Sequence, residues 1–100
     1  MKIEHWDESR GELTEANMRL WLRSQGYDVA TYTYSPEAYF PNHTHSIDKK
    51  DAVISGRFRL IAAGQEFVLE AGDALEIPAG TVHSAEVIGN ESVVSLDATK

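Results

Sequence analysis

Cysteine is absent from the chain, which excludes disulfides, thiolate metal ligands and cysteine nucleophiles. Basic residues are scarce: 9 Lys and Arg stand against 16 Asp and Glu, for a formal charge of −7. The basic residues are also scattered, with only Lys49 and Lys50 adjacent. Nucleic acid and anionic membranes select for basic faces, so neither is expected as a partner. No long apolar run occurs; no signal peptide or membrane span is expected, and a cytoplasmic location is the default. There is no nucleophile elbow with a Ser-His-Asp order, no phosphate loop and no dinucleotide fingerprint. Hydrolase, kinase and dehydrogenase readings therefore lack support. Internal repeats, low-complexity stretches and linkers are missing too.

What remains is the composition of one soluble domain. At 100 residues, the chain should bury about 65% of its unfolded surface, a thin core. The first twelve residues are polar with a single Trp6 and little periodicity. A helical pattern follows. Thr14 is a suitable N-cap, Glu15 suits the first turn, and Leu13 can staple onto Met18. Met18, Trp21, Leu22 and Gln25 recur at i, i+3, i+4 and i+7, and Gly26 supplies the stop. The spacing predicts a helix over Thr14 to Gln25 that must lay its stripe on the outside of the remaining fold or on a partner subunit.

After Gly26 the texture is β. Tyr27 to Ser35 alternates, and Pro36 and Pro41 bracket Glu37 to Phe40, which reads as irregular or as an edge. Short strands are expected over Asp51–Ser55, Arg57–Ala62, Glu66–Glu70, Ala74–Ile77, Val82–Ile88 and Ser92–Asp97. Gly56, Gly64, Gly72, Gly80 and Gly89 punctuate them at close to eight-residue spacing. Many short strands with regular turns mean a sandwich or small barrel.

Two stretches carry the chemistry. The first is His43-Thr44-His45; side chains two apart on a strand share a face, so both imidazoles can point to one place. The second is Gly72-X5-Pro78-X-Gly80-X2-His83. In it Pro78 ends a strand, Gly80 reverses the chain, and His83 opens the next strand beside the turn. Two histidines on one strand and a third after a tight turn suit a metal site, since neutral imidazole ligates zinc, iron, nickel, copper or manganese. Three protein ligands with open positions is the catalytic kind of site. The bland alternative is a polar cluster of neutral, hydrogen-bonded histidines. Donor nitrogens more than about 5 Å apart would be too far to share an ion at ligand distances near 2 Å. His5 lies outside both stretches and reads as a surface residue.

Together these stretches resemble the two motifs of the cupins. The second motif matches at every position down to His83; the first matches at His43, His45 and its closing Gly56. Glu37 stands where the first motif opens with glycine, Val87 where an asparagine is often found, and Lys49 where the family has a glutamate ligand. The resemblance spans roughly residues 29 to 97. It implies an all-β double-stranded β-helix, a small jelly-roll barrel, with residues 1–26 as a helical N-terminal extension and ligands inside, open at one mouth. It also implies a divalent metal (Zn, Fe, Ni or Mn) on His43, His45 and His83, a small-molecule ligand or substrate, and a homodimer paired through outer strands.

Lys49 is the departure that matters, because an ammonium cannot ligate. Three arrangements are open: a three-histidine site; Asp48 or Asp51 supplying the missing oxygen; or Lys49 pointing inward beside Asp51 to hold an anionic ligand. Alternatively, Lys49 and Lys50 lie in a solvated loop. The three-histidine site is the first expectation, and a glutamate at position 49 should strengthen metal binding. Tyr32, Tyr34, Tyr39, Gln65, Ser84 and Ser95 are further pocket candidates, although strand tyrosines are more often core or interface residues. Two functional classes follow. One is a metal-dependent enzyme, oxygenase-like, on a small organic acid or diketone-like molecule, its metal acting as Lewis acid or oxygen-binding centre. The other is a non-catalytic module that binds a small molecule or metal.

Overall fold

A computed structural model describes all residues, 1–100. Nine strands form two antiparallel sheets: β1 (Ile3–His5), β2 (Asp28–Tyr34), β3 (Tyr39–His43), β4 (Lys49–Ser55), β5 (Arg57–Ala62), β6 (Gln65–Leu69), β7 (Asp73–Ile77), β8 (His83–Ile88) and β9 (Val93–Thr99). One sheet runs β1-β7-β4-β9-β2 and the other β3-β8-β5-β6. This is the expected jelly-roll arrangement, with the sheets facing each other and not joined by a ladder. The predicted strands are present, most with ends displaced by one or two residues.

Strand alternation decides what each sheet buries. Val53, Leu75, Ile77 and Val93 from the five-stranded sheet meet Phe58, Leu60, Leu69, Ala85 and Val87 from the other, forming the core between them. The opposite face of the five-stranded sheet presents Ala52, Ala74, Leu96 and Ala98, small enough for a helix to approach. Helix α1 (Glu15–Ser24) lies there with Met18 and Leu22 fully buried. Each such side chain contributes about 1.5–3 kcal/mol by burial. Thr14 Oγ1 accepts from the Asn17 amide at 3.0 Å, the predicted N-cap, and Gly26 takes φ +92° beyond the last turn. Trp21 packs edge-on against Trp6, and Arg19 donates to the Val29 carbonyl at 2.9 Å, fixing the helix to β2. The helix therefore covers the outside of the barrel within one chain. It is ten residues long, and no helix is long and apolar enough to cross a membrane.

Two expectations need correction. The polar N-terminus is not featureless: Ile3–His5 pairs with β7, and a 3-10 turn spans Glu8–Arg10. Nor do Lys49 and Lys50 lie in a solvated loop. Both are buried in β4, on opposite faces. Lys50 points to the helix side and donates to Glu4 at 2.6 Å and Gln25 at 2.8 Å. Remote partners neutralise it, and these do not show in local sequence.

Gly56, the closing glycine of the first motif, has φ +82°, and a Cβ there would lie 2.5 Å from the Ser92 carbonyl oxygen. The chain passes from β4 to β5 against the backbone preceding β9, a contact only glycine permits.

Candidate metal centre

His43 ends β3, an edge strand, where Pro41 is tolerated because no ladder bond is needed on its open side. Phe40 pairs with Ala85 and His43 with His83, so three steps on β3 match two on β8. The extra residue is a bulge. It reverses the alternation, so Phe40 and His43 both face inward although three residues apart. The sequence argument placed His43 and His45 on one strand; the strand stops at His43 and His45 lies in the following loop. The Gly80 amide, in the turn before His83, donates to the His45 carbonyl at 2.9 Å and holds that loop to the second motif.

The three imidazoles converge as expected. One ring nitrogen from each of His43, His45 and His83 lies within 4.8 Å of the others, inside the limit for sharing an ion. His43 Nδ1 is 2.7 Å from the Pro41 carbonyl and His83 Nδ1 is 2.9 Å from the Thr81 carbonyl. A carbonyl can only accept, so each Nδ1 carries the proton and each Nε2 keeps a free lone pair. His45 Nε2 is buried with no hydrogen-bond partner. The pKa of His83 is lowered chiefly by burial, then by the neighbouring His43 and Lys49, against a raising effect of the Thr81 carbonyl. That of His45 is lowered by burial first, then by Lys49, His43 and His83. Imidazoles with aligned or orphaned Nε2 atoms fit a borderline divalent cation.

The histidines open on a cavity of ≈ 190 Å³. Phe40, Phe58 and Tyr34 form its apolar wall, with ring centroids 4.9–6.4 Å apart. Burial, then Asp97 and Asp51, push the Tyr34 phenol up to about 12, so it stays protonated. Lys49, Asp51 and Asp97 form the polar end, on the five-stranded sheet opposite the histidines. Lys49 Nζ is 2.7 Å from Asp97 Oδ1 and 3.8 Å from Asp51 Oδ1. The first contact is an ion pair without an aligned hydrogen bond, since Asp97 Oδ1 has no hydrogen-bond partner. Burial alone would depress the Lys49 ammonium, but Asp51 and Asp97 outweigh it and raise its pKa. Burial raises Asp51 to about 7, with Asp97 adding to the rise and Lys49 opposing it. Of the two acids, Asp97 is the closer partner of the ammonium, and Asp51 is the one that burial drives towards its protonated form.

Of the fourth-position candidates, Lys49 and Asp51 face the cavity and Asp48 does not: its Oδ1 accepts from the Ala79 amide at 2.8 Å and secures the Pro78–Gly80 turn. Among the other candidates, Tyr34 and Ser95 line the cavity. Tyr32 stacks on Tyr34, Tyr39 and Ser84 face the outer side of the four-stranded sheet, and Gln65 is exposed. His5 is largely exposed, as expected, and bonds Asp73 at 2.6 Å. Asp97 was missed. It sits two residues from Ser95 on β9, so strand parity alone would have placed it on the same face.

A jelly-roll with a histidine cluster at one side of its interior is the architecture of a cupin. The family profile described as Cupin domain matches residues 30–99, and the chain belongs to that family. A solved oxalate decarboxylase is similar at 31% identity over 72% of this chain and 21% of its own, with a TM-score of 0.65. An uncharacterised double-stranded β-helix protein from Klebsiella pneumoniae shares 26% identity over 71% of this chain and 60% of its own, TM-score 0.63. KdgF from Halomonas sp. shares 25% over 72% and 69%, TM-score 0.61. The chain thus spans less than two thirds of the first two, and about a fifth of oxalate decarboxylase. Among curated proteins, none matches it significantly by sequence.

Proposed function

We propose that His43, His45 and His83 bind a divalent metal ion (Zn, Fe, Ni or Mn), and that the adjoining cavity takes a small organic molecule on which the loaded protein acts as a metal-dependent, oxygenase-like enzyme. One observation carries the reading: three imidazoles converge, two with their Nδ1–H tied to carbonyls and the third with a buried, unpartnered Nε2. A hydrogen-bonded cluster without metal would not leave His45 Nε2 buried and unsatisfied, because such an atom costs about 1–3 kcal/mol. A bound ion would supply Lewis-acid polarisation of a ligand oxygen. The chain's own residues do the rest. Phe40 and Phe58 keep water from the ligand's apolar part, the backbone carbonyls of Pro41 and Thr81 fix the imidazoles, and Lys49 supplies a positive charge at the far end. Likeness to a segment of oxalate decarboxylase supports a small organic acid as the ligand class.

A second reading is a non-catalytic binding module. It is favoured by the cavity's small volume and by the absence of an activated nucleophile among its lining residues. The homodimer belongs to the same proposal, since the outer face of the four-stranded sheet carries no helix and exposes Tyr39 and Ile61. Element analysis and metal titration of the purified protein test the metal. Stoichiometric metal lost in His83→Ala supports the site, and wild-type protein that retains and binds none refutes it. An iron-loaded protein that consumes oxygen with an added organic acid favours the enzyme; zinc with a tightly held, unchanged ligand favours the module.

A further inference from the structure

We propose that Asp51 is a proton store for this cavity: it holds a proton while the histidine site is empty and releases it when a divalent cation binds. The inference rests on the reading of the three histidines as a metal site. It follows from counting charge. Three neutral imidazoles bring none, and Lys49, where the family's glutamate ligand would fall, adds a positive charge facing the same cavity. A divalent ion in a partly enclosed site needs compensation. The only acids lining the cavity are Asp51 and Asp97.

Asp97 is committed to Lys49 at 2.7 Å and cancels it. Asp51 is 3.8 Å from the same ammonium. Its neighbours on the flanking strands are Asp97 of β9 and the apolar Leu75 of β7, both register partners. The protonated phenol of Tyr34 (β2) lines the same cavity, and His43, His45 and His83 face it from the other sheet. In the empty protein, then, one ammonium, one carboxylate and one carboxylic acid sum to zero. A cation arriving among the histidines favours the ionised form of Asp51. The cluster then carries the single negative charge that Lys49 denies to the first coordination shell. The substituted lysine is tolerated because the compensating carboxylates lie across the cavity, on β4 and β9.

The test is calorimetric titration of the metal-free protein with Ni²⁺ at about pH 7, in three buffers of different ionisation enthalpy, which yields protons released per metal. With Asp51 near its midpoint, wild type should release roughly half a proton more than Asp51→Asn. Asp97→Asn serves as a second variant. Removing its charge lowers the Asp51 pKa, so proton release at the same pH should shrink while nickel still binds. Equal release from wild type and Asp51→Asn, or unchanged release in Asp97→Asn, overturns the proposal and leaves the histidine site standing. Failure of wild type itself to bind nickel, zinc, iron or manganese overturns both.

Discussion

Replacing Lys49 with glutamate should weaken the metal-free fold and strengthen metal binding together. Lys49 lies 2.7 Å from Asp97 and 3.8 Å from Asp51. At an effective dielectric of about 20, unit charges at the Asp97 separation attract by roughly 6 kcal/mol. Most of that offsets the cost of taking an ammonium out of water. Removing one partner of such a buried pair typically costs about 3–5 kcal/mol, and here a third carboxylate is added where a cation stood. Domains of this size have only about 5–15 kcal/mol of stability, so Tm should drop by roughly 15–25 °C. Protons relieve crowded carboxylates, so the deficit should be greatest near about pH 8 and shrink towards about pH 5. Excess Mn²⁺ or Ni²⁺ should raise the variant's Tm by more than it raises the wild type's, because stabilisation grows with affinity. Circular-dichroism melts at both pH values, with and without metal, read all of this. A metal-free variant melting with wild type would show that Lys49 neutralises nothing. A metal-induced shift no larger than wild type's would show that position 49 is too far from the ion to matter.

Gly56→Ala should cost at least about 2 kcal/mol, because its Cβ would meet the Ser92 oxygen at 2.5 Å as well as suffer the positive φ. Gly80→Ala, with φ +81° and open space, should cost only the backbone penalty of about 1–2 kcal/mol; denaturant midpoints compare the two. Leu22→Ala should cost about 2–5 kcal/mol by opening a cavity under the helix, and a change below about 1 kcal/mol would mean the helix is not docked. In the metal-free protein, the lowered pKa values of His45 and His83 make stability fall as pH drops below their ordinary 6.5. The raised Asp51, from 3.8 to about 7, gives the opposite slope, so stability falls as pH rises towards and through neutrality. Asp51→Asn should abolish that loss, which runs from about pH 4 up to the raised pKa of about 7 and levels off above it, and keep the opposite slope of the histidines. Sedimentation should show a dimer that Ile61→Asp dissociates; a monomeric wild type refutes the outer-face contact.

Most of the fold was legible because glycine turns and alternation are local signals. Arg57–Ala62 was read to the residue, and Asp73–Ile77 to within one. What stayed hidden depends on remote partners. Strand β1 has one inward apolar residue, Ile3, and exists because β7 offers an edge some seventy positions later. An inward Lys49 beside Asp51 was one of several open arrangements, and sequence could not choose among them because the nearer acid, Asp97, and the Glu4 that pairs with Lys50 come from opposite ends of the chain. The convergence of His43, His45 and His83 was foreseen from motif spacing, but the reason given was incomplete. The alternation of β3 is broken by a bulge, and His45 is held from the loop by a bond to Gly80. Asp97, by contrast, was within reach of strand parity.

Both tryptophans sit on the outer face of the five-stranded sheet, Trp6 against Trp21 with centroids 6.0 Å apart and the Arg10 guanidinium 4.4 Å from the Trp21 ring. None lines the cavity, whose aromatic wall is Tyr34, Phe40 and Phe58. The molecule thus carries two optical reporters that do not overlap. Indole emission follows the docking of the N-terminal segment, and the difference between wild type and Tyr34→Phe isolates the one tyrosine that lines the cavity. Titrated with metal while both are recorded, the protein would reveal whether filling its interior is felt by the helix on its back.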